Sequence, residues 1–338
     1  MNQAAAPLPE RQLRFVLNAH GPKFEVFGLL CVASLRHWCG DRVAIRVYRP
    51  DNLPRCSERA LQFLKRRNVE VVEFHNPWLP DQLDDIRSVP ARHLTYNKLF
   101  TLLNVEPGEQ RVFLDADQVL LGDPTSLLLA QKAPAGLVAA DTPESFVGDW
   151  DALYRKMGVA PTLRRIWMWE TYSFGHQPEP ARIQTHPYFC SGLVSVTASS
   201  KLPDLWLQYS RELELKADIL TLTYFVDQVS LPLAAAASGQ DWDVLSNRCS
   251  ATPHVFRFIK NPLHFHYWEF HALAAQAART PVLYSHLKQI TEELKRETGI
   301  DLRFELLTEW PRLYRKAKHM ARSKMEQLGL MTARQARQ

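Results

Sequence analysis

Two aspartates one residue apart, Asp115 and Asp117, stand directly after the apolar run Val112-Phe113-Leu114 and before Gln-Val-Leu-Leu-Gly-Asp-Pro124. Alternate residues of an extended segment project to one side, so the two carboxylates converge around Ala116 at the end of a strand. In open α/β sheets that end is where ligands sit. Paired carboxylates repel unless positive charge lies between them, and a hard divalent cation such as Mn²⁺ or Mg²⁺ is the natural one. Farther along, Leu263-His264-Phe265-His266-Tyr267 places two histidines on one side of an extended segment. Two solvated aspartates in a turn are the bland alternative, and the apolar strand before them counts against it.

These residues need a scaffold, and the first half of the chain alternates strands with helices. Leu13–Leu17 reads as a strand, Phe24–Trp38 as a helix with apolar residues at helical spacing, and Val43–Tyr48 as a second strand. Ser57 is placed to cap a helix running through Leu64, Val69–Phe74 is a third strand, and a helix is expected from about Ala91 to Asn104. The strand before Asp115 follows. Gly136–Ala140, ending at Asp141, and Leu193–Val196 continue the sheet, with helices over Leu202–Leu220 and Tyr224–Ala237. This order predicts an α/β fold with a mixed, mainly parallel sheet covered on both faces, and a chain that is helical after residue 270.

Composition narrows the class. The 338 residues are 46% apolar and 23% charged, as in an ordinary globular protein. A net charge of +5 from 41 basic and 36 acidic residues gives no reason to expect nucleic-acid binding. Five scattered cysteines without a CxxC pair suggest reduced thiols and a cytoplasmic setting. The first ten residues lack a basic start and an apolar core, so no signal peptide is expected, and no apolar run approaches membrane-spanning length.

Tyr96-Asn-Lys98-Leu-Phe, the Arg111 strand with Asp-Ala-Asp, and Gly122-Asp123-Pro124 together resemble the core of the GT-A glycosyltransferases. Family 8, the group of glycogenin and the bacterial lipopolysaccharide galactosyl- and glucosyltransferases, is the nearest resemblance, running from Arg14 to about Phe270. It implies a GT-A-like (Rossmann-like) catalytic domain over residues 1–270, with residues 142–187 as an acceptor-side insertion and 271–338 as a helical, basic extension. It also implies metal-dependent transfer of a hexose from a nucleotide sugar, with UDP as the expected carrier, to a carbohydrate or other hydroxyl acceptor. Phe24 resembles the residue that stacks on the donor base, while Lys98 is expected near the phosphates or beside Asp115. Asp141 resembles the residue near the transferred sugar, and Asp227-Gln228 the family's Asp-Gln pair, whose Gln implies retention of configuration. Phe189-Cys-Ser-Gly192 resembles the Asn-Ser/Ala-Gly signature with Cys190 in place of Asn. By the same resemblance His264 is preferred to His266 as the third metal ligand, although Trp268-Glu269-Phe270 replaces the Lys-Pro-Trp that commonly follows.

Other readings compete. Asp115-Ala-Asp117-Gln-Val119 also fits the D-x-D-x-[TV] motif of haloacid-dehalogenase-type phosphatases, where the first Asp is a nucleophile. That motif normally lies on a first strand, and three strand–helix units precede it here. A non-catalytic glycan- or membrane-binding module of the same fold is the third reading. Trp167-Met168-Trp169-Glu170-Thr171-Tyr172, with Tyr188 and Phe189, offers aromatic faces for an acceptor sugar or for loop packing. Residues 311–327 interleave Arg312, Arg315, Lys316, Lys318, Arg322 and Lys324 with apolar side chains, a pattern suited to peripheral contact with an anionic membrane.

Overall fold

The computed structural model describes residues 11–19, 21–80, 94–140, 149–162, 164–170, 181–216 and 225–302. Asp141, the expected helix before residue 94 and the basic segment 311–327 lie outside the described residues. The chain divides at His266/Tyr267 into two compact units.

The first unit is built on seven strands in the order β10-β6-β9-β4-β1-β2-β3. These are β1 (Gln12–Asn18), β2 (Ala44–Pro50), β3 (Val69–Phe74), β4 (Glu109–Leu114), β6 (Ala135–Ala139), β9 (Phe189–Thr197) and β10 (Trp242–Leu245). All neighbours pair in parallel except β9, which runs antiparallel to both β4 and β6. The strand β4 occupies the centre and is buried throughout, including its polar start. Burial of Arg111 is tolerated because its guanidinium donates to Glu109 at 2.7 Å and to the carbonyls of Thr101 and Leu103. The strand can therefore carry Asp115 out of a dry core to the sheet edge.

Helices cover the sheet. On one face Val16, Phe113, Leu137 and Val194 share a core with Leu153 of α5 (Trp150–Met157), Trp206 of α6 (Leu202–Leu215) and Leu231 of α7 (Val226–Ala237). Tyr96 and Leu99 join it from α3 (Asn97–Thr101) and its cap. Elsewhere α1 (Gly21–Cys39) packs against α2 (Glu58–Arg66), where the Ser57 hydroxyl caps the Ala60 amide as expected. A five-residue helix α4 (Thr125–Leu129) follows Gly122-Asp123-Pro124. Two small pairings decorate the sheet: β5 (Gln118–Leu120) with β11 (His264–His266), and the hairpin β7 (Ile166–Glu170) with β8 (Ala181–Thr185).

In the second unit α8 (Phe270–Ala277) packs against α9 (Pro281–Thr298), which stops at Gly299 in a left-handed conformation (φ 71°). Among the described residues no helix is long and apolar enough to cross a membrane.

Candidate active site

The chain leaves β4 at Leu114, and the Asp115 amide donates to the Gly192 carbonyl at 2.9 Å. After Asp117 it re-enters pairing as β5, antiparallel to β11, with Gln118 opposite His266 and Leu120 opposite His264. That register brings His266 beside the aspartates. Its Nε2 lies 3.3 Å from Asp117 Oδ1 and 3.9 Å from Asp115 Oδ2. One ligand atom from each of Asp115, Asp117 and His266 lies within 4.8 Å of the others. His264 sits two residues farther along the pairing. It is fully buried, neither ring nitrogen makes a hydrogen bond of normal geometry, and loss of solvation pushes its pKa down to about 3. The structure thus brings to the carboxylates the histidine that the family pattern ranked second.

Gly192 forms the other wall. A Cβ there would lie 2.5 Å from His266 Cε1 and 2.9 Å from Asp115 Oδ2, so only glycine admits both groups. Cys190, two residues earlier, has its Sγ 3.5 Å from His266 Nδ1 and accepts from the Ser250 hydroxyl at 3.5 Å.

Beneath the triad lies a buried charge cluster. Lys98 Nζ is 2.9 Å from Asp227 Oδ2, 3.3 Å from both Asp115 oxygens and 3.2 Å from the Ser191 hydroxyl. Ser191 in turn donates to Asp227 Oδ2 at 2.7 Å. Burial alone would neutralise Lys98, but the Asp115 and Asp227 carboxylates outweigh it and raise its pKa. Asp115 is shifted upward, chiefly by desolvation, with Asp117 and Asp227 adding to it and Lys98 and His266 opposing. Burial would also lower the His266 pKa; Cys190 and Asp117 outweigh it, so the ring holds its proton well above the ordinary value. Burial at Asp115, and Cys190 with Asp117 at His266, thus both favour the protonated form.

Among the other residues singled out above, Ala116 is half-exposed between the aspartates, and Gln228 is half-buried beside the buried Asp227 on α7. Phe24 is 1% exposed, with its ring against Gly28 on its own helix, which leaves no face for a donor base. Ser191 and Gly192, which the sequence offered only as part of the Asn-Ser/Ala-Gly resemblance and without a role of their own, both stand in the site.

A family model, the Rhodobacterales glycosyltransferase domain, matches residues 15–239. The chain belongs to this family. The glycosyltransferase has a GT-A fold: it resembles the solved galactosyltransferase LgtC, in complex with donor and acceptor sugar analogues, with a TM-score of 0.54. That match is 14% identical and covers 87% of this chain and 99% of LgtC. The bifunctional glycosyltransferase WbbM (TM-score 0.48, 14% identity, 79% of this chain and 48% of that one) is also similar. So is mouse xyloside xylosyltransferase 1 (TM-score 0.47, 12% identity, 76% and 97%). No curated protein matches the sequence. Family membership sets aside the phosphatase reading of Asp-Ala-Asp.

Proposed function

We propose that this glycosyltransferase moves a hexose from a nucleoside-diphosphate sugar, with UDP as the carrier, to a glycan or other hydroxyl acceptor. The reaction is metal-dependent and retains anomeric configuration. The observation that carries this reading is the convergence of Asp115, Asp117 and His266 at the end of the central strand. Two carboxylates and an imidazole suit Mn²⁺ or Mg²⁺, and the space kept open by Gly192 lets the donor atoms approach one another. A cation held there would act as a Lewis acid toward the departing diphosphate.

The chain's own residues do the rest. Lys98 supplies fixed positive charge beneath the carboxylates and keeps Asp115 oriented. Asp227, held by Lys98 and Ser191, fixes the first turn of α7. Gln228, next in that turn, is the residue we assign to the far face of the transferred sugar, and it is the basis for retention. Asp141 is assigned a contact to the same sugar. Residues 1–270 are the proposed catalytic domain, with 142–187 on the acceptor side.

UDP titrations with and without Mn²⁺, paired with release of UDP from a panel of UDP-sugars, test the reading. Asp117→Ala and His266→Ala should each lose metal-dependent UDP binding and turnover by at least about tenfold, while His264→Ala keeps the metal requirement. Gln228→Ala should lose turnover but retain UDP affinity. UDP binding that needs no metal and ignores Asp117→Ala would sink the proposal.

A further inference from the structure

A cleft of about 470 Å³ opens beside the hairpin β7–β8, within the size range of small-ligand sites. Its lining is unusual in charge. Arg164, Arg165 and Arg182 all face it, and among the described residues no acidic side chain does. Arg164 is committed to the fold: its guanidinium stacks 3.9 Å from the Trp242 ring centroid and donates to the Trp242 carbonyl. Arg165 and Arg182 are both exposed. Aromatic faces lie between them. Trp167 is 51% exposed with the Arg182 guanidinium 5.5 Å from its ring centroid, and Trp169 stacks on Phe258 at 5.8 Å and 29°. An indole thus stands half in water beside two solvent-facing guanidinium groups, so the cleft offers an apolar face and positive charge together.

Topology links this cleft to the chemistry. The strands β4, β6 and β10 run in one direction, since β9 is antiparallel to both β4 and β6, and β10 is parallel to β6. The end of β10, Val244 and Leu245, lines the cleft together with Ser246 and Asn247 just beyond it, and therefore lies on the same sheet edge as Asp115 and Asp117. Three strand spacings separate them, ~14 Å in all. The segment continuing from Asn247 reaches the triad itself, because Ser250 touches Cys190 and Cys190 touches His266.

We infer that this cleft binds an acidic saccharide, a sugar bearing carboxylate or phosphate, as the acceptor of the transfer. The inference rests on the proposed transferase reading and names its acceptor class. Sugar faces pack on Trp167 and Trp169, and the planar forks of Arg165 and Arg182 take the anion in paired hydrogen bonds. A neutral sugar would use the aromatic faces and gain nothing from the guanidinium charge.

Tryptophan fluorescence and calorimetry with tetragalacturonate, its methyl-esterified neutral form and mannose 6-phosphate test this directly. The intact protein should bind at least one anionic probe at least tenfold more tightly than the neutral one. Preference for tetragalacturonate assigns a carboxylated acceptor, and preference for mannose 6-phosphate a phosphorylated one. Arg165→Gln, Arg182→Gln and Trp167→Ala, all at exposed positions, should each weaken binding at least fivefold while leaving the Mn²⁺-induced rise in melting temperature intact. That second readout belongs to the metal site, so failure of the donor-side reading shows there and failure of the cleft shows only in the probe titrations. Equal affinity for charged and neutral probes, wild-type affinity in the arginine variants, or displacement of the probe by UDP would overturn the assignment.

Discussion

Removing the charge of Lys98 is the sharpest perturbation that the cluster allows. Its ammonium lies 2.9 Å from Asp227 and 3.3 Å from Asp115, with side-chain exposures of 7%, 5% and 25% respectively. Breaking a buried pair by deleting one partner costs about 3–5 kcal/mol, because the orphaned charge keeps its desolvation penalty. Here one cation serves two carboxylates. Asp115 is a quarter exposed and has His266 at 3.9 Å, so solvent and imidazolium cover part of its loss. Among the described residues, Asp227 keeps the Ser191 hydroxyl as its side-chain partner. We therefore expect Lys98→Met to cost about 3 kcal/mol, read as a lower urea midpoint at unchanged slope. Adding Asp227→Asn removes the orphan, so the double variant should recover about 1–2 kcal/mol relative to Lys98→Met alone. Mn²⁺ should also narrow the gap between Lys98→Met and the wild type, since it replaces positive charge beside Asp115. A loss below about 1 kcal/mol, or losses from the two substitutions that simply add, would refute the view that Lys98 is held by these two carboxylates.

Two further outcomes follow from the same geometry. Gly192→Ala places a Cβ 2.5 Å from His266 and 2.9 Å from Asp115, so calorimetry should show Mn²⁺ affinity at least about tenfold weaker, and unchanged affinity would show that the ligands do not depend on that close approach. The buried His264 ring refuses a proton down to about pH 3, whereas the unfolded chain accepts one near 6.5; stability is therefore lost as pH falls from 6.5 toward 3, by about 2 kcal/mol at pH 5, and urea midpoints of His264→Leu at pH 7 and 5 should lack that part of the decline.

The sheet was legible where apolar, β-branched runs end in turn signals. Val69–Phe74 is a strand over those same residues, and Ser57 caps its helix. Direction was not legible, because nothing in Leu193–Val196 distinguishes an antiparallel strand from a parallel one; only its place between β4 and β6 does. Two kinds of element escaped notice altogether. The three-residue strand β5 is too short to show periodicity, and the Trp-Met-Trp of β7 alternates exposed and buried positions that read as loop aromatics.

The site divides along the same line. Asp115 and Asp117 were legible because they follow directly on a buried apolar strand, although they converge through a turn at Ala116 and Asp117 rather than on the extended segment that the spacing predicts. The choice between His264 and His266 was not, since residues two apart share a face yet stand ~7 Å apart along a strand. Pairing decides between them. Leu121 donates to the Leu263 carbonyl at 2.7 Å, while Ala251 receives the His266 amide at 2.9 Å and gives its own to the His264 carbonyl at 3.1 Å. A two-residue slip of β11 would carry His264 to the carboxylates, but it would break all three bonds and move His266 out of the space that Gly192 leaves open. The identity of the third ligand is thus a property of strand register, held by backbone bonds on both sides of β11 and by a glycine more than seventy residues away in sequence.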